Sequence, residues 1–230
     1  MKILRSVGSF LYTLMIFAGL PLLGWGWDHA ISFFSNPPLL AYLFSIAAYG
    51  LLASYMIQRP GGMGNTLGKG QEDKFNSRQR IVRIVFTGLL LGGLFFVPFA
   101  DQRGLAVMDD YPAVRWVGLC LANLGMGLIF GSSWALGRLY SPDVTLQDGH
   151  HLITYGIYRF IRNPRYLGGI IQGIGLSLLF RSWIGLVLTF IFLGGVLFRI
   201  KDEEILMHQA FGAEWETYCK HSWRLVPYVY

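Results

Sequence analysis

Residues 150–166 read HHLITYGIYRFIRNPRY. The stretch holds adjacent histidines (His150, His151), three arginines (Arg159, Arg162, Arg165), three tyrosines (Tyr155, Tyr158, Tyr166) and Pro164, and it lies between apolar runs. A connection between two membrane helices needs only a few plain polar residues, so this one points to a site. Pro164 lacks an amide and restricts Asn163 before it. The resulting break frees carbonyls and amides to face a ligand, and irregular backbone near a bilayer is tolerated where it lines a cavity.

The flanking runs set the class. Of 230 residues, 53% are hydrophobic and only 14% charged, with mean hydropathy +0.45. Soluble domains carry about 25% charged residues, so this chain lacks a water-facing surface. Apolar runs at 7–27, 39–57, 81–99 and 113–136 approach the roughly 20 residues that cross a bilayer. Runs at 167–180 and 183–198, joined by Arg181-Ser182, are shorter and read as a helical hairpin. The expectation is an all-α polytopic membrane bundle of about five to six transmembrane helices. Its N-terminal part is 1–133, and a catalytic-type region with a pocket follows at 134–230.

Charge sets the orientation. The excess of +6 collects at Lys2/Arg5, 58–80, 138–165 and the tail. The connections at 28–38 and 100–112 hold one arginine against four aspartates. With both termini cytoplasmic, six crossings satisfy the positive-inside rule everywhere except at the Arg181 turn, and the 150–166 stretch falls on the cytoplasmic side. The basic balance is thus explained without nucleic acid, for which no basic soluble module is present. Lys2 and Arg5 before an apolar core resemble a secretory signal, but no small-x-small cleavage pattern follows, so the segment reads as a retained helix. GGMGN at 61–65 lacks the preceding strand and the GK[ST] ending of a phosphate loop. Cys120 and Cys219 have neither disulfide nor metal spacing.

Three further residues bear charge at the end of the last apolar run. Arg199 and Glu203 are four apart and share a helix face, and Glu204 adjoins them. Such charges can anchor a helix at the interface. Two carboxylates beside an arginine, able to meet a second basic segment, also make a site. Arg199 suits an acidic group held bidentately, and Glu203 suits a ribose hydroxyl or a cation. His150 and His151 point apart on a helix and lack ligand partners, so no metal is expected. Tyr158 and Tyr166 offer ring faces to a base or a cation. The tail aromatics Phe211, Trp215, Tyr218 and Trp223 read as packing or interface anchors.

In combination these elements carry a resemblance. Gly149 to Tyr158, then Arg162-Asn163-Pro164-Arg165-Tyr166-Leu167-Gly168, then Glu203-Glu204 and Phe211-Gly212-Ala213-Glu214-Trp215 resemble, in order and spacing, the isoprenylcysteine carboxyl methyltransferase and phospholipid methyltransferase group of membrane enzymes. The likeness covers 134 to the C-terminus. It implies an S-adenosyl-L-methionine site unlike the soluble Rossmann type, in keeping with the lack of a glycine fingerprint after a strand. Carried over by position, the cofactor lining is His150, Leu152, Ile153, Tyr158, Arg162, Asn163, Pro164 and Tyr166, closed by Glu203. Arg199 matches the substrate-holding position, and Arg199, Glu203 and Glu204 are the candidate catalytic residues. Asn163 departs from the histidine often found there, which keeps a donor and an acceptor and puts a proton-transfer role in doubt. The implied acceptor is a lipid or lipid-attached group, either carboxylate or amine, with the carboxylate favoured. Competing readings are an NADPH-dependent reductase of the membrane sterol-reductase type and a non-catalytic accessory protein. Oligomeric state stays open.

Overall fold

The computed structural model describes residues 2–58, 77–137 and 152–229, with side chains described from residue 6, from residue 81 and from residue 152 in the three stretches. The described secondary structure is helical. Helix α1 (Lys2–Leu14) passes through a π turn at Met15–Gly19 into α2 (Leu20–Trp25). Pro21 supplies the reason: it has no amide to donate to the carbonyl four residues back, that of Phe17. The buried Tyr42 hydroxyl donates to that carbonyl instead, at 2.6 Å. Gly26, at φ 103°, ends α2.

A short α3 (Ala30–Phe34) leads to α4 (Pro37–Gln58), which Pro37 and Pro38 open, since a proline at the first turn loses no helical bond. Then come α5 (Ser77–Gln102), α6 (Pro112–Leu136), α7 (Pro164–Leu179), α8 (Trp183–Phe211) and α9 (Ala213–Lys220). Among the described residues, five helices are long and apolar enough to cross a membrane: Ser6–Trp25, α4, Ile81–Gln102 within α5, α6 and α8. The protein is a multi-pass membrane helix bundle.

The hairpin expected at 167–198 differs from what forms. Helix α7 is short as expected, its 16 residues spanning about 24 Å at 1.5 Å per residue. Helix α8 is not short: it runs 29 residues, through Lys201 to Glu204, to Phe211. Lys and Glu are good helix formers, and Arg199 pairs with Glu203 along the same face, so the charges carry the helix onward. It stops at Gly212, whose φ of 49° suits glycine.

Helices α6 and α7 pack antiparallel, backbone on backbone. A Cβ on Gly125 would lie 2.4 Å from the Gln172 amide nitrogen, and one on Gly175 would lie 2.2 Å from that of Ala122. Small residues permit this approach. The bundle end near Arg181 is closed by buried ions. Arg115 holds the fully buried Asp101 at 2.7 Å, and Arg181 reaches the same carboxylate at 2.7 Å and Asp110 at 3.1 Å. Met108 donates to the Arg181 carbonyl at 2.7 Å, and Trp183 to that of Ala106 at 3.0 Å. Arg181, the exception to the charge rule, is thus neutralised by aspartates of the preceding connection. An aromatic core of Trp25, Phe33, Tyr42 and Phe180 lies beside it.

Candidate active site

At the opposite bundle end the chain after residue 151 returns to α6. Ile153 and Tyr158 pack on Ala135, Leu136 and Ile157, and the Tyr155 hydroxyl donates to the Ala135 carbonyl at 3.2 Å. A 3-10 turn at Gly156–Arg159, entered with Gly156 at φ 61°, brings Tyr158 inward. Asn163, at φ −123° and ψ 54°, takes the non-helical backbone that a following proline imposes, and Pro164 starts α7.

Arg162 holds the tail in place. Its Nε donates to Glu204 Oε1 at 3.2 Å, and its Nη1 donates to the carbonyls of Cys219, at 3.1 Å, and of Ser222. Its backbone amide donates to the Trp223 carbonyl at 2.8 Å, and Trp223 donates back to Phe160 at 2.9 Å. Asn163 Nδ2 adds a bond to the Arg224 carbonyl at 2.9 Å. Arg224 Nη2 lies 2.7 Å from Glu204 Oε2. Each oxygen of Glu204 therefore meets a guanidinium, and the segment 213–229 is folded back over the start of α7.

Beside it on α8, Glu203 Oε1 accepts from the Tyr166 hydroxyl at 2.5 Å and from Arg199 Nε at 3.0 Å. These groups line a cavity of about 650 Å³. Leu152, Ile153, Tyr158, Arg162, Asn163, Pro164, Tyr166, Arg199, Glu203 and Glu204 all border it, so the structure brings ten of the eleven candidate residues to one place. The eleventh, His150, lies outside the described residues, as does His151.

The sequence reading missed two classes of lining residue. Trp215 and Tyr218 border the cavity, three apart on α9 and edge to face at 5.6 Å. Their spacing was visible, but nothing local showed that α9 folds back. The Tyr218 hydroxyl donates to the Tyr158 carbonyl at 2.6 Å. Burial pushes the Tyr218 hydroxyl up to about 12, and burial likewise raises that of Tyr158 well above the usual tyrosine range. The second class is apolar. Beyond the polar end the cavity runs into the bundle between α5 (Phe86, Leu90, Leu94), α6 (Met126, Ile129) and α8 (Leu188, Phe192), as far as Phe180. From Tyr166 to Phe180 is fourteen residues, or about 21 Å along α7.

The phospholipid methyltransferase family model matches residues 113–214. A probable protein-S-isoprenylcysteine O-methyltransferase of Oryza sativa subsp. indica is 28% identical over 125 residues, covering 53% of this chain and 65% of the rice protein. Steroid 5-alpha-reductase DET2 of Solanum lycopersicum is 29% identical over 122 residues, covering 53% of this chain but 45% of the tomato protein. The solved structure of a eukaryotic intramembrane Ras methyltransferase, an isoprenylcysteine carboxyl methyltransferase, shares the fold with a TM-score of 0.54 at 16% identity, over 99% of this chain and 84% of that one. Over residues 113–214 the chain is thus similar to the phospholipid methyltransferase family, and its fold is that of the intramembrane isoprenylcysteine carboxyl methyltransferase.

Proposed function

We propose that the chain is an S-adenosylmethionine-dependent methyltransferase acting on the carboxylate of a lipid-attached or apolar acceptor. The observation that carries this reading is one cavity with two characters. A polar end of three arginines and two glutamates opens into an apolar chamber that reaches Phe180. A cofactor and a lipid can therefore share a boundary near Tyr166, Arg199 and Glu203.

The polar end fits the cofactor. Glu203 is held rigidly by Tyr166 and Arg199 and accepts a ribose hydroxyl or faces a cation. Tyr158, Trp215 and Tyr218 present aromatic faces suited to a base and to a positive centre. When bound, S-adenosylmethionine supplies a methyl group already activated by its sulfonium. What the protein adds is placement, with the acceptor oxygen held within about 3–3.5 Å of the reacting carbon.

Charge favours a carboxylate over an amine. Arg162, Arg165 and Arg199 outnumber Glu203 and Glu204 along the lining, and an anionic acceptor needs orientation and desolvation rather than a base. An amine must lose a proton. Both lining carboxylates already accept from arginine, so neither is placed to collect it. In this reading Arg199 holds the acceptor, and Glu204, Arg162 and Asn163 position the tail.

The test is transfer of radiolabelled methyl from S-adenosylmethionine to N-acetyl-S-farnesylcysteine, with phosphatidylethanolamine vesicles in parallel. Base-labile label on the cysteine derivative, reduced at least tenfold in Arg199→Ala, is the expected result. Base-stable label on the vesicle lipid alone overturns the carboxylate assignment. The likeness to the tomato reductase favours NADPH-dependent reduction as a second reading, for which NADPH binding is the discriminating observation.

A further inference from the structure

The serine and threonine hydroxyls that line the apolar chamber are satisfied one helical turn back. Thr13 donates to the Ser9 carbonyl at 3.0 Å, Thr87 to Arg83 at 2.9 Å, Ser177 to Gly173 at 2.7 Å and Thr189 to Gly185 at 2.9 Å. Gln172 differs. Its side chain lines the same chamber and brings two N–H donors and a carbonyl acceptor. Among the described residues its side-chain contact is Nε2 to the Met126 thioether, at 3.9 Å. A thioether is a weak acceptor, so the amide keeps most of its hydrogen-bonding capacity for a ligand in the chamber.

Gln172 is half-buried. Its backbone is pressed against Gly125 in the middle of α6, where even a methyl group would lie 2.4 Å from its nitrogen. Polar side chains at such depth generally serve a ligand. Gln172 lies six residues past Tyr166, about 9 Å deeper along the helix, and Phe180 lies about 12 Å deeper again. The chamber is therefore polar at its mouth, apolar along its walls, and carries partway in an amide whose described side-chain contact is a thioether.

We propose that Gln172 is a specificity-determining ligand contact. The chamber takes an amphiphile whose chain carries a hydrogen-bonding oxygen (hydroxyl, ether or ester carbonyl) about 9 Å inward of its polar head. Hydrocarbon continues beyond it toward Phe180. A chain of methylenes alone leaves the amide unpaired and binds more weakly. This rests on the chamber being the acceptor's compartment.

The experiment uses the full chain in detergent and a series of N-acetyl-S-alkylcysteines of equal length. One member has methylenes only, and each of the others has a single ether oxygen at a successive position. Binding is read by displacement of a fluorescent fatty acid, without methyl donor. One oxygen position should bind roughly tenfold tighter than the methylene-only compound, as one added hydrogen bond allows. That maximum should vanish in Gln172→Leu and in the volume-matched Gln172→Met. If the oxygen weakens binding at every position, or the maximum persists in both variants, the contact is refuted. Methyl transfer to the same series separates the two proposals. Transfer with a flat binding profile refutes the Gln172 contact alone. A binding maximum without transfer to any member refutes the methyl-acceptor reading alone.

Discussion

Tyr218 shows how a tail residue becomes part of a membrane site. It is 9% exposed and its hydroxyl is tied to the Tyr158 carbonyl, so ionising it means placing a phenolate where water is scarce. Burial moves its titration from the ordinary 10.0 to about 12. The native state keeps this proton after the unfolded chain has lost it. The associated stability is complete below pH 10 and is lost as pH rises through about 12. Unfolding in detergent should therefore become easier across that window, and Tyr218→Phe should flatten the dependence. An unchanged slope in the variant would show that the hydroxyl is not held as described. Glu203, by contrast, was legible from sequence, because its spacing to Arg199 places both on one helix face. Its second partner, Tyr166, lies 37 residues away, and only the fold supplies it.

At the level of helices, two contacts fix the site. The first is the α6–α7 seam. Gly125→Ala forces apart backbones already in contact and should cost about 1–3 kcal/mol, as overpacking does. Gly131→Ala, with nothing within 4 Å, should be neutral. Thermal unfolding of the two variants in detergent measures the difference, and equal midpoints would contradict the seam. The second contact is the clamp of Arg162 on the tail. Arg162→Ala leaves Glu204 to Arg224 and strips the bonds to Cys219 and Ser222. A buried pair broken on one side costs about 3–5 kcal/mol, so hydrogen exchange across 213–229 should rise sharply. Lysine at 162 should restore little, because it lacks the planar fork. The backbone break at Pro164 was readable, since proline acts locally. The apolar run at 183–198 looked short because charges follow it, yet the Arg199–Glu203 spacing already implied that the helix runs on, and α8 does so to Phe211.

The whole molecule joins a motif-bearing C-terminal half to an N-terminal half without motifs. Composition alone disclosed the membrane bundle, and the order of short polar elements disclosed ten residues that meet at one cavity. The apolar chamber was not legible. Its walls come from Thr13, Phe17, Ile46, Tyr49 and the face of α5, which in sequence are ordinary membrane-span residues. The pairing of Arg181 with Asp101, 80 residues apart, was equally hidden, although the charge rule marked Arg181 as out of place. The N-terminal helices thus supply walls of the compartment. The most direct measurement is calorimetric binding of S-adenosylmethionine, S-adenosylhomocysteine and NADPH to the detergent-purified chain, wild type beside Glu203→Ala. The sulfonium cofactor and its product should bind, with affinity falling at least tenfold in the variant, as loss of a charged hydrogen-bonding partner implies. Binding of NADPH alone, or of none of the three by folded protein, would contradict the methyltransferase account.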